Sequence, residues 1–293
     1  MATPGKKELP AITWRNISPP YRDYAYFTNA AAYPFRYRRD GFDRVNAWWL
    51  IEAATLVYAE EAFVRTEFGK AGLEQVRFFD GGSTRCVVAG NRDFVIVAFR
   101  GTEIRRREGR HDYRNIIGEI VSNLDIKPVS WDMGGRVHRG FRNALDAVWK
   151  KEGLGKHVRH LVESGRPVWI TGHSLGAALA VLAAHRSKGI RAVYTFGSPR
   201  IGDAVFKKSY QVTTCRIVNH RDIVARLPPA GPYHHVGEPR YIDHRGRIHR
   251  RPGPFRKTAA DTGVPGRPAR IPGGLKDHVP VLYAVHLWNR LVT

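Results

Sequence analysis

Residues 168–182 read VWITGHSLGAALAVL. The first four are β-branched or aromatic, as a buried strand favours, and the last six are alanine, leucine and valine, as a buried helix favours. Only Gly172-His173-Ser174-Leu175-Gly176 lies between them. A chain that passes from strand to helix in so few residues brings backbone against backbone. Side chains beside the turn are excluded, and glycine takes their place. The serine hydroxyl is left at the edge of the sheet, at the positive end of the helix. The unit demands a parallel sheet covered by helices. A plain packing turn with an incidental serine has the same five letters. A base and an acid in the right order separate the two readings.

The remaining sequence alternates in the way this unit requires. TRCVVAG, DFVIVAF, PVWIT, AVYTF and CRIVN read as strands. Residues 142–152, 175–186 and 204–210 read as helices between them, and residues 44–66 have helical periodicity, with Trp48, Ile51, Thr55 and Tyr58 on one face and Glu52, Glu60 and Glu61 elsewhere. The segment RYIDHRGRIHR reads as a late hairpin turning at Arg245-Gly246, and a helix near 278–291 closes the chain. The expected fold class is α/β: a central, mostly parallel sheet with helices on both faces. No boundary is visible, so residues 1–293 are expected to form a single domain, with 1–35 as an arm lying over it. Cys86 and Cys215 sit in strand-like runs and read as buried free thiols.

A nucleophilic serine needs a histidine base, and the histidine needs a carboxylate. In this architecture the chain order is serine, acid, histidine. Asp222 lies just past a strand-like run; Glu238, Asp243 and Asp261 follow no clear core strand. Asp222 could equally cap a turn or pair with Arg221 or Arg226. For the base, His234 and His235 lie in a Pro/Gly loop, while His244 and His249 lie in the basic hairpin. His286 lies inside the last helix. His278, at the start of that helix after a long loop, is the favoured base.

Seven stretches in one order resemble the class 3 lipases: VNAWWLIEAATLVYA, VIVAFRGT, GGRVHRGFRNAL, ITGHSLGAALAVLAA, YTFGSPRIGD, RIVNHRDIVARLPP and KDHVPVLY, spanning about residues 44–291. The resemblance implies an α/β-hydrolase fold with Ser174 as nucleophile, Asp222 as acid and His278 as base. It implies an oxyanion hole from the backbone N–H groups of Thr102 and Leu175. It places a lid after the oxyanion strand, at about residues 103–118, including Arg105, Arg106, Arg107, Tyr113, Ile116 and Ile117. His138 and His173 would support the chemistry by hydrogen bonding. The activity implied is hydrolysis of acylglycerol esters, with phospholipase A1 action on anionic membranes as the alternative. No cofactor and no metal site are expected.

The charge asks a separate question. Forty-eight Lys and Arg against 26 acidic residues give a formal net charge of +22. Such a surface attracts anionic partners. A non-catalytic protein that binds anionic membranes or nucleic acid on a hydrolase scaffold is therefore the reading of another class. The intact set of serine, acid and histidine segments argues against it. The expected partners are a lipid ester substrate and a lipid interface to which the positive charge is suited, with no nucleic acid. Oligomeric state is not legible. No apolar run follows Lys6-Lys7, so the expected location is cytoplasmic, or exported without a standard leader, or with a leader already removed.

Overall fold

The structure, a computed structural model, describes residues 4–82, 84–101, 125–251, 271 and 273–293. Its centre is an eight-stranded sheet of order β1-β2-β3-β6-β7-β8-β9-β10. The strands are β1 (Gln75–Asp80), β2 (Arg85–Gly90), β3 (Val95–Phe99), β6 (Val168–His173), β7 (Ile190–Phe196), β8 (Thr214–Asn219), β9 (Glu238–Ile242) and β10 (Ile248–His249). Strands β3, β6, β7, β8 and β9 pair in parallel, and the two ends of the sheet are antiparallel. A short ribbon of β4 (Pro128–Ser130) and β5 (Arg136–His138) stands apart. The parallel strands β3, β6 and β8 are buried along their whole length, so they read as continuous apolar runs.

Helices cover both faces, as the alternation in the sequence predicts. On one face lie α3 (Arg139–Asp146), which runs into a π turn at Ala147–Lys151, then α4 (Leu154–Glu163) and α5 (Leu175–His185). On the other lies α1 (Arg44–Leu56), with α2 (Glu61–Lys70) after it and α8 (Pro280–Asn289) packed beside it. Between them come the short α6 (Ala204–Ser209) and α7 (Gly273–Lys276). Helix α1 is buried on every side but its first residue. Asp43 caps it, accepting from the Val45 and Asn46 N–H groups.

Three local expectations are corrected. The periodic run 44–66 is two helices, broken after Leu56. Helix α4 and strand β1 were not expected from their patterns. His278 precedes α8 rather than lying in it.

Glu52 also differs from its reading as a residue off the apolar face. It is fully buried and accepts from Trp48 Nε1 at 2.8 Å and from Tyr24 Oη at 2.7 Å. Tyr24 belongs to the N-terminal arm, which is anchored along α1 and α8. The Lys7 backbone N–H and carbonyl both bond the Asn289 amide, and Trp49 Nε1 donates to the Tyr33 carbonyl at 2.8 Å. Phe27 and Phe35 are buried against Trp49. The arm is thus bolted to the fold by aromatic burial and by hydrogen bonds made in low dielectric.

Candidate active site

Strand β6 ends at His173 and helix α5 begins at Leu175, so Ser174 alone makes the turn. Its backbone sits at φ 59° and ψ −126°, a strained left-handed conformation for a residue with a side chain. The turn holds because its surroundings leave no other path. The Ser174 N–H donates to the Phe196 carbonyl at 3.0 Å. A Cβ on Gly172 would strike the Gly176 carbonyl, and one on Gly176 would strike the Phe99 carbonyl. Glycine is thus required on both sides of the serine. Leu175 is the first residue of α5, and N–H groups in a first turn have no intrahelical acceptor.

The acid is presented by the end of β8. Asp222 is completely buried, and its Oδ1 accepts from the Val224 N–H at 2.8 Å. It therefore does cap a turn, and it also holds the base. His278 Nδ1 lies 3.0 and 2.9 Å from the two carboxylate oxygens. Tyr283, one turn into α8, donates its hydroxyl to Oδ2 at 2.5 Å and accepts from the Asn219 N–H. Burial pushes the Asp222 carboxyl up, but the His278 charge and the donated hydrogen bonds outweigh it and hold the carboxyl below its ordinary value. An ionised carboxylate at Nδ1 fixes the tautomer: Nδ1 carries the proton and Nε2 keeps its lone pair. Gly197, at φ 59°, leaves the room this pair occupies, since a Cβ there would lie 2.5 Å from Asp222 Oδ2 and 2.8 Å from His278 Nδ1.

His173 supports the base from below. Its Nε2 donates to the His278 carbonyl at 2.7 Å, and the two rings pack tilted by 34° with centroids 4.4 Å apart. Burial, and then the neighbouring His278, hold His173 down at about 3, so it is neutral. His138 lies farther off, packed between Phe141 and Tyr233 at centroid distances of 4.4 and 4.0 Å.

Ser174 and His278 line one small cavity of about 30 Å³, together with Ile17, Ser18, Pro19, Tyr58, His173, Leu275, Val279 and Pro280. That is room for about one water. No hydrogen bond joins Ser174 Oγ to His278 among the described residues, and catalytic bonds of this kind commonly close only around substrate. The N-terminal arm contributes Ile17 to Pro19 to this lining. A larger cavity of about 940 Å³ lies between the arm and α8, and shares Ser18 and Pro19 with the small one.

Other candidates lie elsewhere. Glu238 pairs with Arg240, and Asp243 with Arg247 and His249. His244 is exposed, His234 and His235 line a different cavity, and His286 is half-buried within α8. Asp261 and Thr102 lie outside the described residues, as do Arg105, Arg106, Arg107, Tyr113, Ile116, Ile117 and the whole 103–118 segment read as a lid. Three contributors were not read as site residues from the sequence: Tyr58, placed there only on a helix face, whose hydroxyl accepts the Gly101 N–H at 2.9 Å, Tyr283, and Ile17 to Pro19. Tyr283 carried a signal, as the tyrosine that closes KDHVPVLY, and Tyr58 lies in VNAWWLIEAATLVYA.

Residues 96–231 match the family model described as lipase (class 3). A lipase of Rhizomucor miehei is 36% identical over 137 residues, covering 42% of this chain and 38% of that protein. A chloroplastic phospholipase A1-Igamma1 of Arabidopsis thaliana is 28% identical over 231 residues, covering 62% of this chain and 42% of that protein. The chain thus spans less than half the length of these curated relatives. Among solved structures, a triacylglycerol lipase whose catalytic centre is described as a serine protease triad superposes with a TM-score of 0.54 at 25% identity, covering 69% of this chain and 81% of that one.

Proposed function

We propose that the chain is a member of the class 3 lipase family, with residues 96–231 as the matched part, and a serine carboxylic ester hydrolase acting on acylglycerols. The observation that carries this reading is the buried His278–Asp222 pair set beside a serine in a strained strand-to-helix turn. Ser174 Oγ attacks the ester carbonyl as His278 Nε2 takes its proton. Asp222 stabilises the imidazolium through Nδ1. The oxyanion is held by the Leu175 N–H, with Thr102 as the second donor. The intermediate collapses as His278 returns the proton to the departing alkoxide. Water, activated by the same histidine, then releases the fatty acid and restores Ser174.

A site with room for one water has to open before an ester reaches it. Opening passes beneath the arm at Ser18 and Pro19, into the 940 Å³ cavity, which is large enough for an acyl chain. The longer match to a plant phospholipase A1 supports a second reading, cleavage of a phospholipid ester by the same residues. The interface would then be a phospholipid surface suited to the net charge of +22.

Hydrolysis of p-nitrophenyl esters from acetate to palmitate, and of phosphatidylcholine and triolein emulsions, tests these readings. Activity on neutral emulsions that vanishes in Ser174→Ala supports the lipase reading, and preference for phospholipid supports the second. Equal rates for wild type and Ser174→Ala on every substrate overturn both.

A further inference from the structure

A second cavity, of about 710 Å³, opens on the flank of the sheet between the α6–β8 loop, the start of β9 and the loop 228–237, and shares no lining residue with the cavity at Ser174. Its wall carries Arg200, Lys207 and Arg216. Arg216 is the unusual one. It projects from β8 and only 8% of its surface is exposed, yet its Nε is buried without a hydrogen-bond partner. No carboxylate among the described residues pairs with Arg216 or with Arg200. The acid on the wall, Glu238, is bonded to Arg240 at 2.9 Å.

A buried guanidinium without a counter-charge is costly, and two near one another add mutual repulsion. Arg200 is nonetheless fixed in place. Its Nη1 donates to the Pro228 carbonyl at 2.6 Å and to the Arg226 carbonyl. Burial and the nearby Arg216 both push the Arg200 guanidinium below its ordinary value. Burial first, and then the same two arginines, hold the His235 imidazole down at about 3, so the histidine adds no charge to the wall. The cavity therefore gathers three cations around one carboxylate already engaged.

We propose that this cavity is a binding site for a phosphate group, carried either by a soluble phosphate ester or by a phospholipid headgroup. Two guanidiniums and an ammonium supply charge for a dianion, and the planar fork of arginine matches phosphate oxygens. The volume exceeds what the phosphate alone needs. Phe42, Tyr210, Tyr233 and Pro239 line the remainder, where the organic part of the ligand would lie.

The test is calorimetric titration of the whole chain with inorganic phosphate and with glycerol 3-phosphate, and flotation with phosphatidylcholine vesicles with and without phosphatidic acid. Wild type is compared with Arg216→Gln, with Lys207→Gln on the exposed rim, and with Arg92→Gln, an exposed arginine outside the cavity. The expected result is saturable binding weakened about 10-fold or more in Arg216→Gln, the loss of one charged hydrogen-bonded contact. A smaller loss is expected in Lys207→Gln, and none in Arg92→Gln. Binding of glycerol 3-phosphate identifies a soluble ester. Binding confined to phosphatidic acid vesicles, with the same dependence on Arg216 and Lys207, identifies a headgroup. No wild-type binding to any of these probes overturns the proposal. So does binding that Arg92→Gln weakens as much as the cavity variants, or binding that folded Arg216→Gln and Lys207→Gln both retain. Should Arg216→Gln fail to fold, Lys207→Gln alone decides.

Discussion

Two regions meet at Ser174 and are built by opposite rules. The nucleophile turn is local. Strand, glycine, serine, glycine and helix follow one another within residues 168–185, and each residue's place follows from its neighbours. The N-terminal arm is tertiary. Residues 4–35 form no regular helix or strand, and hold their course through contacts with α1 and α8 far along the chain, such as Lys7 to Asn289 and Tyr24 to Glu52. In the proposed reaction the turn supplies the nucleophile, while the arm, through Ile17 to Pro19, lines the cavity beside it. Substitutions in the two regions should therefore fail in different ways.

The largest effect belongs to the chemistry. Asp222→Asn keeps the shape of the side chain but offers His278 the wrong tautomeric partner, and kcat for ester hydrolysis is expected to fall by about 10⁴. Circular dichroism should show the fold retained. A fall of less than 10-fold would mean that Asp222 only caps its turn.

Next comes the architecture of the turn. In Gly176→Ala the added methyl meets the Phe99 carbonyl, and stability should drop by about 1–3 kcal/mol, as for an overpacked core, with activity lost alongside. Unfolding in urea measures it, and an unchanged midpoint would contradict the close approach. The arm contains no such position near the site.

Protonation probes the buried histidines. His173 and His235 both lie at about 3, below the ordinary 6.5. The unfolded chain binds protons at both as the pH falls below about 6.5, whereas the folded chain resists until near 3. Stability is therefore present above the upper value and is lost as the pH falls through the window, by up to about 1.4 kcal/mol per pH unit for each histidine. Asp222, held below 3.8, adds its own loss only below that value. Urea unfolding at pH 7, 6, 5 and 4 reads the slope. A flat profile would show that neither histidine is held neutral.

The smallest effect distinguishes the arm from the turn. Ser18 is shared by the small and large cavities. Ser18→Trp should lower palmitate hydrolysis several-fold more than acetate hydrolysis, mainly through KM. An equal loss on both esters would assign the arm a part in the chemistry itself.

This contrast also explains what could be read in advance. The strands around Ser174 were legible because buried parallel strands are continuous β-branched runs, and the turn because its glycines have no substitute. Asp222 was legible from its place after CRIVN, but its bond to His278 spans 56 residues and rested on chain order and resemblance. The break after Leu56 was missed because one apolar pattern runs through two helices. Glu52 reads in sequence as a residue off the apolar face, since its partner Tyr24 lies 28 residues earlier in a segment without periodicity. The arm's share of the cavity at Ser174 was illegible for the same reason. An arm held by aromatic burial leaves no repeating pattern.

The central claim is that Ser174 is an activated nucleophile in a hydrolase site. Its most direct test is labelling with a fluorophosphonate followed by peptide mass spectrometry, on wild type, His278→Ala and the urea-unfolded chain. A single adduct on the peptide bearing Ser174, slowed by orders of magnitude in His278→Ala and absent after unfolding, is the predicted result. No adduct in the folded wild type, or an adduct formed equally well without His278, would contradict it.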